Sequence, residues 1–426
     1  MVTEDMKAKL DPSQYAGQKG LGCEHYLLKL VDRILKALDY SDRQQRNAVL
    51  ITLLDWESAF NKVDHSLGMQ AFIDCGVRPS LLPLIANYFE DRTMTVQWHG
   101  VQSSSFSLPG STPQGSSFLL EYIALSNNNA ECVPQEDKFK YQDDVTLLEV
   151  VNLLSVGIAS YNSRQHVSST LPVHSQIVDS KHLQSQKYLD NINEWTNKNK
   201  MKLNEKKTKA MIFNFSKKFQ FTTNLHLNNA PIDIIEEARL LGLYFSSDMK
   251  WNLNTKKIVQ GANMRMKILQ KAAKFTSSIK DLKIIYFSKI RSKLEYAASV
   301  WHSGLSRKNC NEIERIQRSA AKIILKDRYS TYAKALKDLR IDSLEKRREK
   351  LCLSTAKKCL KNEKMKQLFP LNKSIHSMKK RKIGKYKVNH ARSERYKRSP
   401  VVYMQNLLNH NSVNDEICAE DAHNHH

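Results

Sequence analysis

The chain has 426 residues, 41% of them hydrophobic, and a formal net charge of +24. That length and apolar content allow a buried core spread over two or three subdomains. The charge asks for a polyanionic partner, nucleic acid ahead of an anionic membrane surface. The longest apolar stretch, Ala48–Leu54, is far too short to span a bilayer, and the charged start MVTEDMKAKLD has no apolar core of a secretory signal.

Seven cysteines, at 23, 75, 132, 310, 352, 359 and 418, form no CxxC pair. Neither a zinc knuckle nor a disulfide framework is expected, and a reducing intracellular compartment fits. The positive charge is uneven: from Lys326 to Arg398 there are 25 Lys and Arg against 7 Asp and Glu.

In chain order, Pro12–Gly22 is turn-rich. EHYLLKLVDRILKALD then carries apolar residues at helical spacing. Ala48–Leu54 is an almost unbroken, β-branched run that reads as a strand buried on both faces, with Asp55 at its end. Ser66–Cys75 and Ser80–Glu90 read as helices, and Thr93–His99 with Val101–Leu108 as a hairpin around Gly100. Pro109–Ser117 is a Gly-containing loop before the apolar helix Phe118–Leu125.

KFKYQDDVTLLEVV, residues 138–151, reads as a β-hairpin with Asp143 and Asp144 at its tip. Ser155–Ser180 is expected as a loop or insertion, and His182–Met201 as a helix. Ala210–Phe215, Leu225–Leu227, Ile232–Ile235 and Arg239–Phe245 are strand candidates. Helical patterns follow at 255–275, 281–301 and 307–325, then a basic helical stretch at 333–368. Residues 373–398 have few core-forming side chains and are expected to be a flexible tail.

The chemistry is in the carboxylates. A carboxylate ending a buried central strand is costly unless it is exposed, paired or metal-bound, although Asp55 could also be a helix N-cap. Adjacent Asp143 and Asp144 repel each other, which a hard divalent cation would relieve; the alternative is a solvated turn. Three carboxylates meeting at one sheet edge can hold two Mg²⁺ about 3.5–4 Å apart, and a basic region would then hold a polyanion over them. This points to metal-dependent phosphoryl or nucleotidyl transfer on nucleic acid and does not separate a polymerase from a nuclease.

Six stretches then carry a resemblance. LLDWESAFNKVDH resembles the first palm motif of reverse transcriptases from non-long-terminal-repeat retrotransposons, the jockey-like and LINE-type elements. STPQGS resembles their second motif, YQDD their third and NKNKMKLNEKKTKAMIF their fourth. RLLGLYF resembles their primer-grip strand, and LEYAASVWHSGLSRKNCNEIERIQRSAAKII the helical segment after the polymerase. The motifs stand in the family's order.

The resemblance implies an α+β right-hand polymerase: a remnant of the fingers at 1–47, a palm with an antiparallel sheet at 48–245, a helical thumb or connection at 246–330, and a basic helical extension with a flexible tail at 331–426. It implies RNA-directed DNA polymerase activity with Mg²⁺, or Mn²⁺ in its place. The partners would be an RNA template, a DNA primer and deoxynucleoside triphosphates, with the element's RNA-binding protein and a separate endonuclease as further ones, no membrane, and residence in nucleus and cytoplasm. Asp55, Asp143 and Asp144 would be the catalytic, metal-holding carboxylates, joined by the backbone carbonyl of Trp56. Phe60 would exclude a ribose 2′-OH; without the motif it reads as a core aromatic. Gln114 and Gly115 would line the nucleotide pocket, and Tyr141 would pack beside the primer end. Lys207 would stand near the triphosphate as a proton donor; without the motif it reads as a solvated lysine. Leu241 and Gly242 would belong to the primer grip.

The chain also departs from the pattern. Asn61 stands where the family usually has Asp, and Ser116-Ser117-Phe118 follows Pro113-Gln114-Gly115 where a Gly-Pro-rich helix entry is usual. Much of the fingers, with its triphosphate-clamping cations, is expected to be missing. The alternative expectation is therefore a catalytically impaired protein of the same fold that only binds RNA or DNA. Lys379-Lys380-Arg381-Lys382 reads as a nuclear-import signal, an RNA contact or a solvated charge run.

Overall fold

In the computed structural model the described residues are 5–6, 9, 11–39, 47–58, 62, 64–108, 110, 132–153, 175–178, 183–216, 220–372 and 384–423. The elements that matter here are, in chain order, helix α1 (Cys23–Leu38), strands β1 (Asn47–Leu54), β2 (Lys138–Tyr141) and β3 (Asp144–Asn152), helix α2 (Gln184–Lys198), strands β4 (Lys209–Phe213), β5 (Asp233–Ile234), β6 (Glu237–Leu240) and β7 (Leu243–Ser246), and helices α3 (Asn252–Phe275), α4 (Arg307–Leu325), α5 (Leu344–Leu360) and α6 (Pro400–His423). The fold is mixed α+β. It divides into two units, one of residues 1–22 and 42–235 and one of residues 23–41 and 236–426.

The first unit is built on a five-stranded mixed sheet in the order β5-β4-β1-β3-β2. β1 is central because its apolar, β-branched side chains are buried on both faces and so need a strand on either side. It runs antiparallel to β3, from Asn47 opposite Asn152 to Leu54 opposite Val145, and antiparallel to β4, with Leu53 opposite Lys209. β5 joins β4 in parallel.

On one face Ala48, Leu50, Leu147, Val151 and Ala210 share a core with Leu189 and Ile192 of α2. Full burial of a Leu such as Leu50 is worth about 1.5–3 kcal/mol. α2 has no side-chain cap of its own. Glu149 of β3 supplies one: its carboxylate accepts from Gln184 N at 3.0 Å, Ser185 N at 2.8 Å and Ser185 Oγ at 2.6 Å.

A smaller core of Phe72, Val77, Ile85 and Phe89 holds the helices His65–Asp74 and Leu82–Phe89 together. Asp64 caps the first of these through Ser66 N and Leu67 N. The hairpin expected around Gly100 is present as two short ladders, Thr93–Met94 with Phe106–Ser107 and Gln97–Trp98 with Val101–Gln102. Its apolar side chains are largely exposed, Trp98 at 74%.

The second unit is helical apart from the β6–β7 hairpin. Arg239–Phe245, expected as one strand, is two, because Leu241 (φ +44°) and Gly242 (φ +85°) form a tight turn between them. α1 is buried over most of its surface, and its Glu24 accepts from Ser299 Oγ and, at 3.3 Å, from Thr355 Oγ1. α4 buries Ile313, Ile316, Ala320 and Ile324, and its Gln317 accepts from Tyr286 Oη at 2.5 Å.

Residues 384–398, expected as flexible tail, are tied down. Asp39 accepts from Arg392 N at 2.9 Å and Ser393 N at 2.7 Å, and Gln405 accepts from Asn389 N at 2.8 Å. α6 follows, with Val401, Val402 and Met404 buried. The rest of the expected tail, 373–383, and the Ser-rich insertion at 155–174 and 179–180 lie outside the described residues. Among the described residues no helix is long and apolar enough to cross a membrane.

Candidate active site

The β1–β3 register decides where the carboxylates go. The ladder ends with Leu54 opposite Val145, so the next residue along each chain, Asp55 and Asp144, leaves it at the same end of the sheet, where the Asp55 charge acts on both Asp143 and Asp144. β2 and β3 close on Tyr141 opposite Asp144, which leaves Gln142 and Asp143 as a two-residue turn. Asp55 and the adjacent pair Asp143 and Asp144, distant from it in sequence, therefore share one end of the sheet.

Their electrostatics follow from this crowding. Asp144 shows an outer edge to solvent, yet the protein around it pushes its carboxyl up to about 6, with Asp143 and Asp55 adding to the rise. Burial also pushes Asp143 up, against a hydrogen bond from its own backbone N–H, and Asp55 adds to it. One Asp55 oxygen, Oδ2, is buried without a hydrogen-bond donor; its ion-pair partner is Lys207 Nζ at 3.7 Å. Lys207 is otherwise exposed.

Asp55 is not a helix N-cap. Beyond β1 the chain stays extended and pairs with residues 202–204: Asn204 N donates to Asp55 O at 2.8 Å and Glu57 N to Lys202 O at 2.9 Å. Asp55 N faces Thr208 Oγ1 at 3.4 Å. Because alternate residues of an extended strand turn to opposite edges, the Trp56 carbonyl faces the edge on which β3 lies. The Trp56 ring is buried, with Trp195 of α2 edge-on at 6.2 Å.

The turn that carries Asp143 is held by residues that no spacing rule singles out. Gln142 has φ +55°, a value that favours glycine at the first position of such a turn. The fully buried Gln14 takes hold of it: Oε1 accepts from Gln142 N at 3.1 Å, and Nε2 donates to Gln142 O at 3.4 Å. The same Oε1 accepts from Tyr15 N and Ala16 N, both at 3.1 Å. Residues 13–15 add a parallel edge to β2, through Lys140 N to Ser13 O and Tyr15 N to Lys140 O.

Beneath them Asp11 holds Lys140 Nζ at 2.9 Å and Lys138 Nζ at 3.1 Å, all three side chains buried. Burial alone would raise the Asp11 carboxyl, but the two ammonium groups outweigh it and hold it at about 2. The alternation of Lys with Phe139 and Tyr141 in β2 gave no sign of this pair.

Of the remaining expected residues, Tyr141 ends β2 next to the turn. Leu241 and Gly242 form the β6–β7 turn in the second unit. Phe60, Gln114 and Gly115 lie outside the described residues. For a bound cation the donor chemistry is right: hard carboxylate and carbonyl oxygens, with one buried oxygen lacking a donor. Among the described residues, however, no three Asp, Glu, His or Cys side chains converge within ligating reach. No family model matches the chain, and no curated protein matches it.

Proposed function

We propose that the chain is an RNA-directed DNA polymerase of the non-long-terminal-repeat retrotransposon type, with the first unit's sheet as its palm and the helices after residue 246 as thumb and basic extension. The observation that carries the reading is the β1–β3 register, which brings Asp55 beside the Asp143–Asp144 turn. The order of the sequence motifs and the charge of +24 support it.

Asp55, Asp143, Asp144 and the Trp56 carbonyl would hold Mg²⁺, or Mn²⁺ in its place. Bound there, the metal would lower the pKa of a primer 3′-OH and neutralise charge on the leaving pyrophosphate. Lys207, beside Asp55, is placed in this reading to give a proton to that pyrophosphate. By the family resemblance, Tyr141 would pack beside the primer end, Leu241 and Gly242 would grip the primer, Phe60 would exclude a 2′-OH, and Gln114 and Gly115 would serve the incoming nucleotide. RNA template and DNA primer are held by the basic helices.

Primer extension on oligo-dT annealed to poly-rA, with dTTP and Mg²⁺, tests this. The wild-type chain should extend the primer, and Asp143→Asn should lose extension while still binding the hybrid. A wild-type chain that binds the hybrid and extends nothing would sink the polymerase reading. It would favour the second one, a protein of this fold that only binds nucleic acid. What favours that second reading now is that the carboxylates do not converge within ligating reach.

A further inference from the structure

The β6–β7 hairpin borders a pocket of about 380 Å³ inside the second unit. Arg239 of β6, Arg265 of α3 and Lys293 of the short helix Ser292–Glu295 line it, with Gly242 and Tyr296. No carboxylate is in its lining. Among the described residues none of these three cations has an Asp or Glu within ion-pair distance.

Several details make this a shaped site. The turn fits closely over Tyr296, which donates its hydroxyl to Leu241 O at 2.7 Å; a Cβ on Gly242 would lie 3.0 Å from the ring. Glu24, a carboxylate whose charge reaches Tyr296, is taken up by Ser299 and Thr355. Burial lowers the Lys293 ammonium, and Arg265 and Arg239 lower it further. Three like charges around one cavity repel each other unless an anion sits between them.

We propose that this pocket binds a phosphate group, with Arg239, Arg265 and Lys293 as its ligands. Guanidinium forks suit phosphate oxygens, and the lysine adds a point charge between them. The group could belong to a nucleic-acid backbone or to a small phosphorylated ligand. The inference does not need the polymerase reading.

The test titrates the full chain with inorganic phosphate by calorimetry, and with a fluorescein-labelled dT12 oligonucleotide by anisotropy. It compares wild type with Arg239→Gln/Lys293→Gln, with Arg265→Gln, and with Lys187→Gln/Lys198→Gln, which removes two exposed charges on α2 of the first unit. Circular dichroism checks that each variant is folded; Arg265, exposed on α3, gives a variant with little folding risk. Losing charge-assisted hydrogen bonds should weaken binding about tenfold or more. If oligonucleotide affinity falls in the pocket variants and the salt slope drops by about one per cation removed, the ligand is a backbone phosphate. If only inorganic phosphate binding falls, it is a small phosphorylated molecule. If folded pocket variants bind both probes as the Lys187/Lys198 control does, the pocket is not a phosphate site.

Discussion

The buried side-chain amide of Gln14 holds both backbone groups of Gln142, the residue before Asp143. A neutral amide is needed there, because it donates to one group and accepts from the other. Gln14→Glu should therefore lose the donor and bury a charge, and Gln14→Ala should remove the bonds to Gln142 N and O and to Tyr15 N and Ala16 N. Each is expected to cost about 1–3 kcal/mol. Urea denaturation measures this, and amide exchange at Gln142 should quicken in both variants. Unchanged exchange would mean that the turn is held by other contacts.

The Asp11–Lys140 pair should behave as a buried ion pair. Because Asp11 is shared with the buried Lys138, Asp11→Leu alone strands two buried ammonium groups and should cost about 3–5 kcal/mol, whereas Asp11→Leu combined with Lys138→Met and Lys140→Met should recover much of the loss. The pair also fixes a pH dependence. The folded-state value of Asp11, about 2, lies below its ordinary 3.8. Its contribution is thus present above about pH 4 and is lost as the pH falls towards 2. Asp11→Asn should flatten that limb of the stability curve.

Asp144 gives the opposite sign. Its folded value of about 6 lies above the ordinary 3.8, so the folded state holds an extra proton between them. Stability from this group is full below about pH 4 and is lost as the pH rises through 6. Asp144→Asn should remove the decline. In wild type, Mg²⁺ should move the midpoint of the Asp144 carboxyl titration, followed by ¹³C NMR, to lower pH. A midpoint indifferent to Mg²⁺ would argue against cation binding at the turn.

Leu50→Ala tests the sheet core. The side chain is fully buried between β3 and α2, and the substitution should cost about 2–5 kcal/mol. A loss below 1 kcal/mol in a denaturation curve would show that this face is not well packed.

Parts of this architecture were legible in the amino-acid order because local chemistry dictates them. Ala48–Leu54 has no polar face, so it must be a central strand, and the hairpin at 138–151 is marked by strand formers on either side of a polar turn; the turn is Gln142-Asp143, and Asp144, also expected at the tip, opens β3. RLLGLYF looked continuous because nothing in its apolar pattern reports the positive φ of Leu241. Lys138 and Lys140 resemble the outer face of an edge strand until Asp11 is known to lie against them. The hold of Gln14 on the aspartate turn, 128 residues away in sequence, is a tertiary fact. The order in residues 384–398 likewise comes from Asp39 and Gln405, not from local propensity.

Helix α1 belongs to the second unit, while the chain on either side of it belongs to the first. During synthesis its ten buried side chains therefore leave the ribosome long before the helices that cover them. Until residue 236 and beyond have been made, this amphipathic segment lacks the helices that bury it in the folded chain. A protein begun at residue 236 would lack a wall of its own interior, so no single cut separates two self-sufficient halves.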